Sequence, residues 1–214
     1  ERLNDALVAL AERVARDLPH VTLTFAAGKR DYDRTAANLK GSAAAGCPRV
    51  SLLDYIYDMP VRMAAADLVV SRAGAMTVSE LSLLGKAAVL VPSPYVADNH
   101  QLRNAQALVR AGAGVCVEED GLPGGALERA VLPLLAQSAE RAAMGQRLQE
   151  GFACPDANER LCGELLRLAR RNAREEVERV TTTAEREDRT LKSLAAMCGL
   201  AAAPKRMESY DISN

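Results

Sequence analysis

The sequence has few of the side chains on which many active sites depend. It contains no tryptophan, two phenylalanines and only two histidines, His20 and His100, so a histidine-based triad or metal site has little to draw on. Its five cysteines are scattered without a CxxC pair, which is typical of free thiols in a reducing cytoplasm. We therefore predict neither a metal site nor a cofactor.

Charge and hydropathy exclude further classes of protein. The formal net charge of −1 means that the chain has no excess of basic residues with which to bind nucleic acid or an anionic membrane. No apolar run approaches the length of a transmembrane helix, and no signal peptide is recognisable. Because 49% of the 214 residues are hydrophobic, one domain with a true core, with or without an appendage, is expected in the cytoplasm. The chain opens at Glu1 inside a helical pattern, which we interpret as a fragment.

Strands and helices alternate along the first part of the chain. This order predicts an α/β fold whose parallel sheet is covered on both faces. The predicted strands are Val21–Gly28, Arg49–Ile56, Leu68–Ser71, Ala87–Pro92 and Gly114–Glu118, and the predicted helices are 2–18, Met59–Ala66, Met76–Leu84 and Asn99–Ala111. After Glu119 the pattern is helical only, over Leu127–Gln137 and Ser138–Gly151.

The composition changes near Leu165, where we predict a break and a domain boundary, giving domains 1–165 and 166–214. Leu166–Ala196 is dense in arginine and glutamate, which predicts a long helix that is either exposed or coiled-coil-like. Pro204 would stop this helix, and Met207–Ile212 has the alternation of a starting strand.

The most informative segment is Leu68–Gly85, LVVSRAGAMTVSELSLLG. It predicts a buried strand, a tight turn through Gly74 and a helix whose first turn offers unpaired N–H groups to an anion. Thr77 and Ser79 would add hydroxyl donors, and Glu80 would accept hydrogen bonds from sugar hydroxyls. A plain packing turn has the same pattern, so the residue chemistry alone leaves both interpretations open.

A second segment, Val91–Leu108, repeats this arrangement after the next strand. Its helix carries His100, Gln101 and Asn104 in the first turns, and two amides offer both donors and acceptors to a neutral sugar. The alternative is that Asp98 or Asn99 simply caps the helix. Because both segments follow carboxyl ends of successive strands, where open α/β sheets bind ligands, we predict one shared cleft.

The motifs SRAGAMTVSEL, VPSPY and NHQLRNAQAL resemble the C-terminal half of the MurG family. That family comprises bacterial glycosyltransferases that transfer N-acetylglucosamine from UDP-N-acetylglucosamine to lipid I, making lipid II in peptidoglycan synthesis. The resemblance spans residues 2–165. It implies the donor-binding, Rossmann-like domain of a two-domain GT-B enzyme, with UDP-N-acetylglucosamine as its ligand.

The resemblance also implies roles for particular residues. Glu80 would hold the ribose hydroxyls, and Gln101, with His100 and Asn104 nearby, would read the sugar. Tyr55 and Ile56 match the place where the family packs an aromatic ring and a backbone amide against uracil. The diphosphate and sugar would meet the helix start formed by Gly74, Ala75, Met76, Thr77, Val78 and Ser79.

Two parts of the family pattern precede this sequence: the first strand of the donor domain with its glycine-rich loop, and the acceptor domain. We therefore assign no catalytic residue and expect the chain to be inactive alone, because no base is in place to deprotonate the acceptor. Lipid I would bind only to a full-length enzyme, peripheral on the cytoplasmic face of the inner membrane. In a 3-2-1-4-5-6 sheet the absent strand lies between the Val21 and Leu68 strands, so the sheet either has a gap or closes there.

Residues 166–214 resemble a segment of UvrC, the nuclease subunit of bacterial excision repair. Asp211 in SYDISN falls where that family has its first metal-binding carboxylate. One carboxylate does not hold the metal that phosphodiester cleavage needs, so we expect the chain to be incomplete as a nuclease. We also expect no nucleic-acid binding from it. The alternative function is therefore a fragment of a UvrC-type endonuclease, or a chimeric join of the two families.

Overall fold

The computed structural model describes residues 2–199 and 201–202, and the chain folds into two compact units, Glu1–Pro155 and Asp156–Asn214. The strands are β1 (Leu23–Ala26), β2 (Val50–Leu53), β3 (Val69–Ser71), β4 (Ala88–Leu90) and β5 (Val115–Cys116). The helices are α1 (Arg2–Asp17), α2 (Tyr32–Lys40), α3 (Met59–Ala65), α4 (Ala75–Leu84), α5 (His100–Arg110), α6 (Ala126–Ala136), α7 (Ser138–Phe152) and α8 (Ala157–Met197).

The strands form two parallel sheets, which confirms the predicted α/β class. β1 pairs with β2, from Leu23 opposite Val50 to Ala26 opposite Leu53. The second sheet has the order β3-β4-β5. Among the described residues no ladder joins β1 to β3, so the sheet has the gap that we predicted as one of two outcomes.

β4 lies at the centre of the core, and its side chains alternate between two apolar clusters. Val89 packs with α1 and α6 on one face, while Leu90 packs with α4, α5 and α7 on the other. Strand side chains alternate in this way because successive Cβ atoms point to opposite faces of a sheet. The three-stranded sheet is therefore covered on both faces, as predicted.

The β1–β2 sheet is covered differently. Phe25, Val50 and Leu52 face the same apolar cluster as Val89, so one cluster lies under both sheets. Ser51, on the other face of β2, is exposed. Two side chains hold α1 against this sheet: Asn4 Nδ2 donates to Ala27 O at 3.0 Å, and Arg49 Nη1 donates to Val14 O at 2.8 Å.

Two predictions about the elements were wrong. We did not predict α2, which has a single buried residue, Thr35, and hence no apolar periodicity to detect. The break near Leu165 is absent, because α8 begins at Ala157 and continues through Leu165. Its N-terminal residues are mostly good helix formers, and the proline that precedes it is Pro155. Pro204, Asp211 and the expected strand Met207–Ile212 lie outside the described residues.

The second unit is dominated by α8, which has 41 residues and whose described side chains are mostly exposed. Ion pairs join neighbouring turns, among them Arg179 with Glu176 at 2.7 Å and Lys192 with Asp188 at 2.6 Å. Over the described ranges, neither α8 nor any other helix is long and apolar enough to span a bilayer.

Candidate functional site

The first corner of the site lies between β3 and α4. Gly74 is the N-cap of α4 and has φ −66° and ψ 148°, a conformation open to any residue. A Cβ atom added there would meet only Thr77 Oγ1, at 3.9 Å. Neither the backbone nor the packing therefore needs glycine at this position, and the space that a side chain would occupy there is open.

The side chains of α4 are not equally available to a ligand. Ala75 and Met76 are exposed, whereas Val78 packs against the apolar cluster of α5 and α7. Ser79 Oγ donates to Ala75 O at 3.0 Å, so its proton is used inside the helix and is not the free donor that we predicted. Thr77 and Glu80, both half-buried, lie three residues apart and share a helix face.

The second corner lies between β4 and α5. Asp98 (φ 53°) and Asn99 (φ 50°) are consecutive residues in the left-handed region, which side chains other than Gly, Asn and Asp seldom adopt. Asn99 is the N-cap of α5, but its side chain makes no capping hydrogen bond. Asn99 therefore occupies the N-cap position, as the alternative interpretation expected, but its side chain does not satisfy the first-turn N–H groups of α5.

The amides of Gln101 and Asn104 join the loops of the site. Gln101 Oε1 accepts the Ser93 N–H at 2.9 Å, which fixes the loop after β4. Asn104 Nδ2 donates to Ala73 O at 3.0 Å, which attaches α5 to the turn that opens α4. The two corners therefore meet. Each amide has one further group that takes no part in these two hydrogen bonds: the NH₂ group of Gln101 and the side-chain carbonyl oxygen of Asn104.

An ion pair that we did not predict ties the same loops together. Arg72 Nη1 lies 2.6 Å from Glu119 Oε2 and donates to Val91 O at 3.2 Å and Pro92 O at 3.3 Å. The Glu119 side chain is 6% exposed and that of Arg72 is 32% exposed. The pair thus connects the carboxyl ends of β3, β4 and β5. Arg72 directly follows β3 and Glu119 is the third residue after β5, so charged residues of opposite sign close after two strands are the sequence signal that would have found it.

Three further residues were predicted to belong to the site: His100, Tyr55 and Ile56. His100 is the exposed first residue of α5. Tyr55 and Ile56 lie in the loop between β2 and α3, at the carboxyl end of the other sheet. Tyr55 is 55% exposed, and its ring meets that of Tyr57 edge to face, with ring centroids 4.9 Å apart. No hydrogen bond within the described residues joins this loop to the corners at Gly74 and Gln101.

Two titratable groups near the sheet have shifted pKa values. Burial raises the pKa of the Cys116 thiol in β5, and the charge of Glu118 raises it further. A hydrogen bond from Arg62 lowers the pKa of Asp58, which precedes α3. The part of the chain that the structure describes contains no cluster of three or more His, Cys, Asp or Glu side chains that could hold a metal ion.

Comparison with known proteins identifies the architecture around this site. The sequence profile of the glycosyltransferase family 28 C-terminal domain matches residues 2–161. The chain belongs to this family. Its α8, beyond the first residues, lies outside the matched range.

The curated relatives include two enzymes with the same name, UDP-N-acetylglucosamine–N-acetylmuramyl-(pentapeptide) pyrophosphoryl-undecaprenol N-acetylglucosamine transferase. The one from Acetivibrio thermocellus is 46% identical over 122 residues, which are 57% of this chain and 32% of the relative. The one from Exiguobacterium sp. is 39% identical over 161 residues, 75% of this chain and 42% of the relative. The chain thus spans less than half the length of the curated relatives it matches.

Solved structures give the same family 28 fold. MurG from Acinetobacter baumannii superimposes with a TM-score of 0.61 at 25% identity, over 76% of this chain and 46% of that one. The glycosyltransferase VinC superimposes with a TM-score of 0.56 at 20% identity, over 79% and 40%, and supports the fold alone. The structure is thus similar to the C-terminal domains of GT-B glycosyltransferases, and MurG is the family resemblance that we predicted.

Proposed function

We propose that residues 2–161 form the donor-binding part of an N-acetylglucosamine transferase of peptidoglycan synthesis. The observation that supports this proposal is the hydrogen bond from Asn104 to Ala73 O, which holds the start of α5 against the turn that opens α4. The names of the curated relatives supply the donor, UDP-N-acetylglucosamine, and a lipid-linked acceptor.

The start of α4 would bind the diphosphate. Its first-turn N–H groups, on Ala75, Met76 and Thr77, have no partner within the helix, and the helix dipole favours negative charge there. Gly74 keeps the approach open, since it has no other structural reason to be glycine. Glu80, on the same face as Thr77, would accept hydrogen bonds from the ribose hydroxyls.

The amides of α5 would read the sugar. Because Gln101 Oε1 and Asn104 Nδ2 are bonded to the loops, the Gln101 NH₂ group would donate and the Asn104 oxygen would accept. His100 stands beside them at the helix start, and Tyr55 with Ile56 would contact the uracil. In this view the amides position the loops as well as bind the donor, and Ser79 contributes acceptor lone pairs only.

Transfer needs groups that we do not assign to this chain. The acceptor hydroxyl attacks the anomeric carbon of N-acetylglucosamine while the bond between that carbon and UDP breaks. UDP leaves with the electron pair of this bond, and a base takes the hydroxyl proton. Donors at the α4 helix start would stabilise the departing diphosphate. We propose that this polypeptide binds the donor but does not turn over, with lipid I engaged only in a longer, peripherally membrane-bound enzyme.

Donor binding is tested by calorimetric titration of the chain with UDP-N-acetylglucosamine, UDP-glucose and UDP. We expect the acetylated sugar nucleotide to bind best. Gly74→Val should weaken that binding by roughly tenfold or more, because its side chain fills the space before α4 without straining the backbone. Gly151→Ala, in open space on α7, is the matched control and should bind normally.

Two results would contradict this proposal. Equal affinity of wild type and Gly74→Val would remove the α4 corner as the diphosphate site. Turnover of a lipid I analogue by the chain alone would show that it carries a base we have not assigned. The domain limit at 165/166 and the resemblance of residues 166–214 to UvrC stay predictions. Metal-dependent nicking of DNA by the chain would favour the resemblance.

A further inference from the structure

α8 has a seam of apolar residues at coiled-coil spacing that the proposed function does not use. Steps of three and four residues connect the seam positions 166, 170, 173, 177, 180, 184, 187, 191 and 194. Seven of these nine positions hold Leu, Val or Ala, and the two exceptions are Arg170 and Glu187. Leu166 is 59% exposed and Val177 is 65% exposed, whereas Leu191 and Leu194 are half-buried. The large apolar side chains in solvent therefore lie in the first part of this face.

The seam is symmetric when it is read in the opposite direction. A two-fold axis between residues 178 and 179 sets Leu166 opposite Leu191 and Arg170 opposite Glu187 of a second helix. The same axis sets position 173 opposite 184 and position 177 opposite 180, each pair holding identical residue types. The two charged exceptions of the seam therefore face each other with opposite sign, twice in each pair of helices.

The flanking charges agree with the same register. Residues 169–174 contain three arginines and no acidic residue, whereas residues 183–188 contain three acidic residues and one arginine. The two-fold axis sets these two segments opposite each other, so an antiparallel neighbour lays its acidic segment along the basic one. In a parallel pair, Arg170 would face Arg170 and Glu187 would face Glu187, which is repulsive in both places. Within the described part of the chain, neither Arg170 nor Glu187 is paired with another charge.

We propose that α8 is a self-association surface that pairs antiparallel with α8 of a second copy of this chain. Such a pair is isologous, as a two-fold dimer requires. Leucine layers lie at its ends, small residues lie near its centre, and an arginine–glutamate layer on each side fixes the register, as single polar seam residues do in coiled coils. None of the residues proposed to bind the donor belongs to this surface.

A charge exchange tests the pairing in the full chain. Sedimentation equilibrium should show a concentration-dependent dimer for the wild type. Arg170→Glu and Glu187→Arg, each alone, put like charges in two layers and should raise the dissociation constant roughly tenfold or more. The double variant R170E/E187R restores opposite charges and should restore the dimer. Arg189→Glu, on the far side from the seam, makes the same charge change as Arg170→Glu and should leave the dimer unchanged.

The native cysteines report the orientation. Cys162 and Cys198 are both exposed. In the antiparallel register they lie about three residues apart along the axis, roughly 5 Å, on opposite chains, whereas within one helix they are separated by roughly 54 Å. A short bifunctional maleimide should therefore join Cys162 of one chain to Cys198 of the other.

Several outcomes would overturn the proposal. One is a chain that stays monomeric up to about 100 µM, far above common homodimer constants. Another is a dimer whose cross-links join only like cysteines, since this would show parallel pairing. Unchanged association in R170E and E187R would place the contact elsewhere. Far-UV circular dichroism of each variant checks that α8 stays helical. A weaker dimer can then be attributed to lost pairing and not to unfolding of α8.

Discussion

The 2–155 region and α8 are held in shape by different forces. In the first, every strand and most helices bury apolar side chains in two clusters on either side of β4. In α8 the described side chains are mostly in solvent, and the ion pairs join residues three or four apart. A substitution in the first region therefore acts through long-range packing, whereas one in α8 acts through helix propensity and nearby charges.

The largest effect on stability is expected in the 2–155 region, from a substitution of Gly145 in α7. A Cβ atom there would lie 2.1 Å from Gly85 O, a backbone atom that cannot move aside cheaply. We expect Gly145→Ala to lower the free energy of unfolding by about 3 kcal/mol, because α7 must separate from the end of α4. Urea denaturation followed by circular dichroism measures the change.

Gly151→Ala, in the same helix, is the control for Gly145→Ala. Nothing lies within 4 Å of its added Cβ, so it should stabilise the protein by about 0.5 to 1 kcal/mol through helix propensity. If both variants shifted stability alike, the close contact between α7 and α4 would not be a determinant of this fold.

A moderate effect is expected at Glu119. Glu119→Gln leaves the Arg72 guanidinium without its buried carboxylate and should cost about 1 to 3 kcal/mol, the lower part of the range applying because Arg72 is partly exposed. The loops after β3, β4 and β5 would lose a common tie, so UDP-N-acetylglucosamine should bind severalfold more weakly. Thermal unfolding with and without the nucleotide sugar measures both changes.

The neighbouring Glu118 provides the comparison for Glu119. It is exposed, and Glu118→Gln should change stability by less than about 0.5 kcal/mol. An equal effect of the two variants would mean that the Arg72 pair does not organise the site.

The smallest effect is expected from the ion pairs of α8. Hydrogen bonds from Arg167 and Arg179 lower the pKa values of Glu164 and Glu176 below the ordinary value near 4.5. Because the lowered pKa belongs to the folded helix, the stabilisation is complete above that ordinary value. It is lost as the pH falls through the lowered pKa values. The helical signal at 222 nm should therefore decrease slightly between pH 5 and about pH 3, by little because both pairs are exposed.

The double variant E164Q/E176Q should lack this part of the acid transition. Glu185→Gln, which alters an exposed glutamate in the same helix, should keep it. A large acid loss of helix that the double variant does not reduce would show that α8 depends on something other than its neighbouring charges.

Much of the 2–155 region was predictable because its signal is local. The strand β4 is a continuous apolar run, and α1 and α5 carry apolar residues at helical spacing, so each was recognised close to its true limits. α2 has one buried residue and gave no such signal. The break predicted near Leu165 was wrong because a change in composition is not a change in helix-forming ability.

The candidate site also has features that were predictable from the sequence and features that were not. The corners at Gly74 and Gln101 were predictable from strand-to-helix order, since parallel strands end on one side of a sheet. The bonds that occupy Ser79, Gln101 and Asn104 were not, because a polar side chain in a sequence gives no sign of which backbone group will take its proton.

By itself the sequence determined the α/β order of elements, the family to which residues 2–161 belong and the two corners of the site. Each of these follows from local periodicity and from motifs of contiguous residues. Only the tertiary structure decided that the sheet divides between β1 and β3, that Asn104 joins the corners, and that Arg72 and Glu119 tie three loops. Those features join residues 31 to 47 positions apart, or strands from different segments, and chain packing alone brings such groups within bonding distance.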